Sequence, residues 1–380
     1  MLRPAVPFAA APRRAAPLVA AAALAVLAVS AAVLAGDGSE LVMAGIPAFV
    51  LAGLALVVRS AGRRRWARAL ALVVTGGVVG AMCLVSLGLV AGPLLDPTAP
   101  DHLGLSSEDA GRLMLAAVGL CLAALAGLLP LFGAPRRALA RVAPLDPASF
   151  PGAVAAGVVV AATLIAVVPL LVLGRPPVLD LAGQLTGNGA PSNDVLLRDQ
   201  AYGLLWLIPA GLVAAGWGFG RDCRAAFERL GLVRPNRRQV LGGLGVAVAC
   251  AGASLLLDGA LAWFWGAMGW PRTDSKQLET LFAFATSPTG ALVAGVTAGL
   301  GEELVMRGLL QPRLGLVLTN LCFTAMHAPQ YNWDALLSVF VIGLVFGLVR
   351  RRTNTTTSAL VHGTFDFVLF LAAALGVSAI

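Results

Sequence analysis

Seven ionisable side chains stand inside apolar stretches in the second half of this chain: Asp258, Glu302, Glu303, Arg307, His327, His362 and Asp366. A charge at the centre of a membrane-spanning helix costs about 2.5–3.5 kcal/mol on insertion scales, so such groups are kept in pairs or for a task. Glu303 and Arg307 are four apart, share a helix face and predict a buried ion pair. Glu302 lies about 100° further round the same helix and needs another partner. A carboxylate in an apolar site can serve as a base near neutral pH. His362 and Asp366 are again four apart and suit a hydrogen-bonded pair on one face. His327 closes a short apolar run just before Ala328 and Pro329. Such a set can activate water and stabilise an oxyanion without a metal. Glu302, His327 and His362 could equally hold one zinc ion with an open position. Asp258 is a candidate for an outer layer of the site or for a pair with Arg307.

The elements that must position these groups are set by composition. Of the 380 residues, 58% are hydrophobic and 12% charged, against roughly 25% charged in soluble domains. The mean hydropathy is +0.86. There is too little polar surface for a cytosolic enzyme, a disordered tail protein or a secreted disulfide scaffold. None of the five cysteines falls in a CxxC or metal-type spacing. The apolar runs are continuous rather than alternating, which argues for helices over a β-barrel.

Eleven segments approach the length of about 20 residues that a span needs. They cover roughly 17–35, 41–58, 69–92, 113–132, 153–174, 201–220, 240–268, 289–311, 315–328, 335–349 and 357–378. The expected fold is an all-α, polytopic transmembrane bundle of about eleven spans. The first segment is longer than a signal-peptide core and reads as an uncleaved anchor. The net charge of +8 comes from short arginine clusters between apolar runs, a topology signal rather than a nucleic-acid footprint. Arg3, Arg13 and Arg14, then Arg59 to Arg68, Arg136 to Arg141, Arg221 to Arg238, Arg313, and Arg350 to Arg352 alternate with acidic or mixed loops. By the positive-inside rule the N-terminus is inside and the C-terminus outside. The basic set, all arginine but for Lys276, together with abundant Ala and Gly, suits a GC-rich bacterial genome and a bacterial plasma membrane. Counting 1.5 Å per residue from Arg313 puts Glu302 about 16 Å and His327 about 21 Å deep; from residue 356, His362 lies about 9 Å deep. This predicts a water-filled cavity open on the arginine-rich side. Gly295 and Gly299, and Gly343 and Gly347, have the small-xxx-small spacing of close helix contacts.

Four motifs in order carry a resemblance. Glu302-Glu303-Leu-Val-Met-Arg307 fits EExxxR, Phe323 to His327 fits FxxxH, Phe340 to Gly347 fits FxxGxxxG, and His362 to Asp366 fits HxxxN/D. Together they resemble the CAAX-processing and bacteriocin-processing (CPBP, or Abi) family of intramembrane proteases, which includes the type II CAAX prenyl endopeptidases. The resemblance covers 200–380, most tightly 295–370. It divides the chain into an N-terminal transmembrane extension, 1–175, and a protease-like domain, 176–380. It implies an intramembrane endopeptidase, classed as a metallopeptidase. Glu302 would be the base, His327 would hold water, and His362 with Asp366 would stabilise the oxyanion. Glu303 and Arg307 would fix the helix. CAAX-processing members carry Asn where this chain has Asp366. The implied partners are a lipid bilayer and a membrane-embedded or lipid-anchored peptide, for CAAX-type or bacteriocin-related processing or immunity, with no nucleic acid. Two other classes fit intramembrane carboxylates and histidines. One is a transporter or proton relay, though the first half has no charged counterparts of the later spans. The other is an inactive scaffold.

Overall fold

A computed structural model of the chain describes residues 38–61, 68–77, 79, 80, 84, 107–179 and 192–377. The expected span 17–35, the arginines at 3, 13, 14 and 63–65 and the acidic residues 96 and 101 lie outside the described residues. Those described are helical, with no strand among them.

In chain order the principal helices are α1 (Gly38–Ala44), α2 (Ile46–Ala61), α3 (Ser107–Ala126), α4 (Phe150–Leu173), α5 (Asn193–Ala215), α6 (Cys223–Leu230), α7 (Arg237–Ala267), α8 (Pro288–Glu303), α9 (Gln311–Ala325), α10 (Trp333–Arg352) and α11 (Thr355–Ala374). Each predicted segment from 113 onward falls on a helix. Segment 41–58 is two helices bent by 50°. Side-chain caps start several of them: Ser149, Ser192, Asn236, Ser287 and Asn354 each accept an N-terminal backbone N–H, and Asn236 with Gln239 completes a capping box.

Among the described residues, five helices are long and apolar enough to cross a membrane, or six if the bent α1–α2 pair is one span. The chain is thus an all-helical protein with several membrane-spanning candidates. Segment 289–311 departs from a plain span. α8 ends at Glu303 and a π-helical stretch, Leu304–Leu310, follows. Glu302, Glu303 and Arg307 load this stretch with charge, and π-bulges of this kind are common at functional sites. Beyond it, α9 breaks at Gly315, where the backbone leaves helical geometry.

Hydrogen bonds between connections sort the helix ends into two sets. At one end, Arg59 of α2 donates to Ala214 of α5, Thr355 of α11 to Leu230 of α6, and Arg350 of α10 to Arg307. This is the arginine-rich end. At the other, Thr273 donates to Asp334 at the start of α10, Val178 after α4 donates to Pro329, and Arg198 of α5 pairs with Glu40 of α1.

The tightest helix contact positions the charged residues. A Cβ on Gly299 of α8 would sit 2.5 Å from the Gly363 nitrogen of α11, and one on Gly295 would sit 2.5 Å from the Gly363 oxygen. Backbone therefore packs on backbone at this crossing, as the small-xxx-small spacing predicted. Glu303, four residues past Gly299 on α8, and His362, next to Gly363 on α11, are thereby brought into each other's reach.

Candidate active site

Glu303 is the hub of a buried network. Its side chain is fully enclosed. One carboxylate oxygen accepts from Ser358 Oγ at 2.5 Å and lies 3.5 Å from Arg307 Nε. The other oxygen is 3.2 Å from His362 Nδ1. The ion pair with Arg307 is thus as the spacing predicts. The bond to His362 has no signal in the sequence, because the two residues are 59 apart and only the glycine-mediated helix crossing joins them. Arg307 is further held by donating to the Gly343 carbonyl at 2.9 Å and by lying over the Phe323 ring at 4.8 Å. Gly343 belongs to the expected close-packing pair on α10, and its buried carbonyl is what Arg307 uses.

His362 faces a carboxylate on both sides. Its Nε2 lies 3.3 Å from Asp366 Oδ2, one turn on, as predicted. A ring with an acceptor at each nitrogen satisfies both only when both carry protons. Phe346 stacks on it at 4.4 Å. The ring is therefore fixed in plane, position and hydrogen-bonding role.

His327 is anchored differently. Its Nδ1 is 2.9 Å from the Phe323 carbonyl, which leaves Nε2 available. Its ring stacks on Tyr331 at 6.0 Å and 15°. Tyr331 lies in the connection after α9 and was not singled out from the sequence. Burial first, then the nearby Asp366, Glu302 and Asp258, push its phenol well above its ordinary range and keep it a proton donor.

Two cavities meet at these side chains. The larger, about 820 Å³, is lined by Glu302, His327, Tyr331, His362 and Asp366. The second, about 620 Å³, shares His327, Tyr331, His362 and Asp366 and adds Phe323, Phe346 and Phe365. Glu302 belongs to the first cavity alone, and its Oε2 is buried with no hydrogen-bond partner among the described residues. The structure thus brings Glu302, His327, His362 and Asp366 to one wall, and sends Glu303 and Arg307 behind it.

Two expectations need correction. Asp258 does not pair with Arg307; it lies beside Ser338 and Asp334 in the second cavity, while the Arg307 guanidinium is turned to Glu303, the Gly343 carbonyl and the Phe323 ring. The larger cavity also does not open on the arginine-rich side. Ser39, Glu40, Asp199, Gln200 and Phe284 are among its lining residues, and they belong to the opposite set of helix ends. Depth counted along single helices gave distances from the arginines but could not tell which end is plugged. No residue of the π-helical stretch and none of Arg59, Arg221, Arg229, Arg313 and Arg350 lines the larger cavity.

The donors do not suit zinc as they are arranged. Both nitrogens of His362 are engaged by carboxylates, so of the expected donor set only His327 Nε2 and Glu302 are left. Among the described residues, no three His, Cys, Asp or Glu side chains converge for a metal. No step below runs through one.

Residues 284–368 match the family model for type II CAAX prenyl endopeptidases, Rce1-like. The matched stretch runs from just before α8 into α11 and holds Glu302, Glu303, Arg307, His327, Tyr331, His362 and Asp366. No curated protein and no solved structure matches the chain. The matched stretch is less than a quarter of the chain, and over it the chain is similar to type II CAAX prenyl endopeptidases. The apolar helices agree with a multi-pass membrane protein.

Proposed function

We propose that this chain is an intramembrane endopeptidase in which Glu302 activates water. The observation that carries the reading is the unpartnered Glu302 Oε2 in the wall of a cavity that His327, His362 and Asp366 also line. A buried carboxylate oxygen without a donor is costly unless water or substrate supplies one. In this reading Glu302 takes a proton from water held by His327 Nε2. The water oxygen attacks the peptide carbonyl carbon, whose oxygen becomes the oxyanion. His362, doubly protonated between Glu303 and Asp366, stabilises that charge by sharing its Nε2–H between Asp366 and the oxyanion while Nδ1–H stays on Glu303. Collapse breaks the C–N bond, and Glu302 returns its proton to the leaving amine. Asp366 accepts from His362, where the Asn of CAAX-processing members would donate. Glu303, Ser358 and Arg307 hold the imidazole in place. The chemistry is metal-free.

The substrate is a membrane-embedded or lipid-anchored peptide that enters from the arginine-poor face. By the positive-inside rule that face lies outside a bacterial plasma membrane, with about eleven spans running from an inside N-terminus to an outside C-terminus. The first 175 residues form an added membrane region. It is not a bystander in this reading, since Ser39, Glu40 and Met43 line the larger cavity.

The test is cleavage of membrane-anchored peptides by purified protein in lipid, repeated with Glu302→Gln. Loss of cleavage supports the reading. Cleavage that survives the substitution removes Glu302 as the base. Ion flux in liposomes without any cleavage would return the transporter reading.

A further inference from the structure

The arginine-rich end carries a feature that proteolysis does not use. Arg59, Arg221, Arg229, Arg313 and Arg350 come from α2, the turn after α5, α6, the turn before Gly315 and the end of α10. The fold gathers them. Arg59 Nη2 donates to the Ala214 carbonyl at 2.8 Å and Arg221 Nη1 to the Ala215 carbonyl at 2.7 Å. Both guanidinium groups crowd Gly216, whose φ of 113° closes α5; a Cβ there would lie 2.8 Å from Arg221 Nη1 and 3.2 Å from Arg59 Nη1. Arg313 Nη1 donates to Leu309 at 2.6 Å and Arg350 Nε to Arg307 at 3.0 Å. Below them lies the apolar cluster of Leu212, Ala215, Ala226, Leu230 and Leu309.

All five side chains are half-buried. None has a carboxylate within ion-pairing distance among the described residues, although Arg224 and Arg198 elsewhere do. Each guanidinium has five N–H donors, and at most one of each is spent on a carbonyl. Trp217, in the same turn as Arg221, adds an indole N–H that is buried without a partner. Burial first, and then Arg229, Arg59 and Arg221 beside it, push Arg313 down to about 10. Crowded, half-buried like charges with spare donors call for an anion.

We propose that these five arginines form a binding site for a phosphate group, supplied by the headgroup of an anionic lipid at the arginine-rich face of the bundle. The planar forks match phosphate oxygens in pairs, as an ammonium cannot. The site sits where helix ends meet the polar headgroup layer, and an occupant there would tie α2, α5, α6 and α10 together. It lies at the end of the bundle opposite the cavity mouth, so it is separate from the peptide site.

The test uses the full chain in neutral maltoside micelles, with short-chain phosphatidylglycerol, phosphatidylcholine and inorganic phosphate as probes. Binding is read by native mass spectrometry and by thermal stabilisation. Phosphatidylglycerol should be retained and phosphatidylcholine not. Arg59→Gln with Arg313→Gln should weaken phosphatidylglycerol binding roughly tenfold or more, since charge-assisted hydrogen bonds are lost. The exposed pair Arg237→Gln with Arg238→Gln removes the same charge and should change binding less than about twofold. Arg59→Lys with Arg313→Lys guards against misfolding: it keeps the charge and should still lose most of the affinity, because the forks are gone. Competition by inorganic phosphate would extend the ligand to the free anion, and its absence would confine it to lipid. Equal losses in the Arg59/Arg313 and Arg237/Arg238 variants, or retention of phosphatidylcholine as strong as that of phosphatidylglycerol, would overturn the proposal.

Discussion

Glu302 and Glu303 are neighbours of identical chemistry, and replacing each by Gln should give opposite results. Glu303 is fully enclosed and holds Arg307, Ser358 and His362. Glu303→Gln keeps the volume but leaves the Arg307 guanidinium, only 1% exposed, without its counter-charge. Breaking a buried pair from one side costs about 3–5 kcal/mol. Arg307 keeps the Gly343 carbonyl and the Phe323 ring, so the lower part of that range, about 3 kcal/mol, is expected. Adding Arg307→Met removes the stranded charge and should restore about 2 kcal/mol of it. Glu302→Gln removes a carboxylate oxygen that has no partner, so stability should move by less than about 1 kcal/mol. Its kcat should fall about 10²- to 10⁴-fold, the usual worth of a general base. Unfolding titrations in mixed micelles give the stabilities, and cleavage of an anchored peptide gives kcat. If Glu303→Gln is as stable as the parent, or if Arg307→Met fails to rescue it, the network is not the support described above. If Glu302→Gln destabilises as much as Glu303→Gln, the unpartnered oxygen is not free for water.

Other outcomes follow from the same geometry. Gly299→Leu must part α8 from α11, because the Cβ alone meets Gly363 backbone at 2.5 Å; activity should vanish and stability drop by about 1–3 kcal/mol, whereas Gly252→Leu, at a glycine with open space, should leave both intact. Treatment with a strong zinc chelator should leave cleavage unchanged, and metal analysis should find well under one zinc per chain; chelator inhibition reversed by zinc would contradict the donor geometry. Tyr331 titrates at 10.0 when free and higher when folded. The unfolded chain therefore releases its proton first as pH rises above 10, and the stability contributed below that point is lost on the alkaline side. Tyr331→Phe should flatten that alkaline decline, and an unchanged slope would count against a buried, protonated phenol. Cys223 is exposed at the arginine-rich end. A membrane-impermeant thiol reagent should miss it in intact cells and label it in inverted vesicles, while the reverse pattern would place the cavity mouth inside.

Composition and apolar run length determined the class of this protein. The hydropathy of each segment and the local caps decide helix against strand, and the described helices from 113 onward lie where the runs place them. Pairs on one helix were legible for the same reason: Glu303–Arg307 and His362–Asp366 are four apart, and a 3.6-residue turn leaves little choice. The small-xxx-small glycines also announced a close crossing, though not its partner. Tertiary structure alone decided that Gly295 and Gly299 meet Gly363, and so that Glu303 serves His362 as well as Arg307. It separated Asp258 from Arg307 and opened the large cavity toward the arginine-poor end. Sequence spacing is a one-dimensional measure, so it fixes neighbours along a helix. Which helices touch, and which end of the bundle their side chains plug, depends on packing between segments that no spacing rule connects.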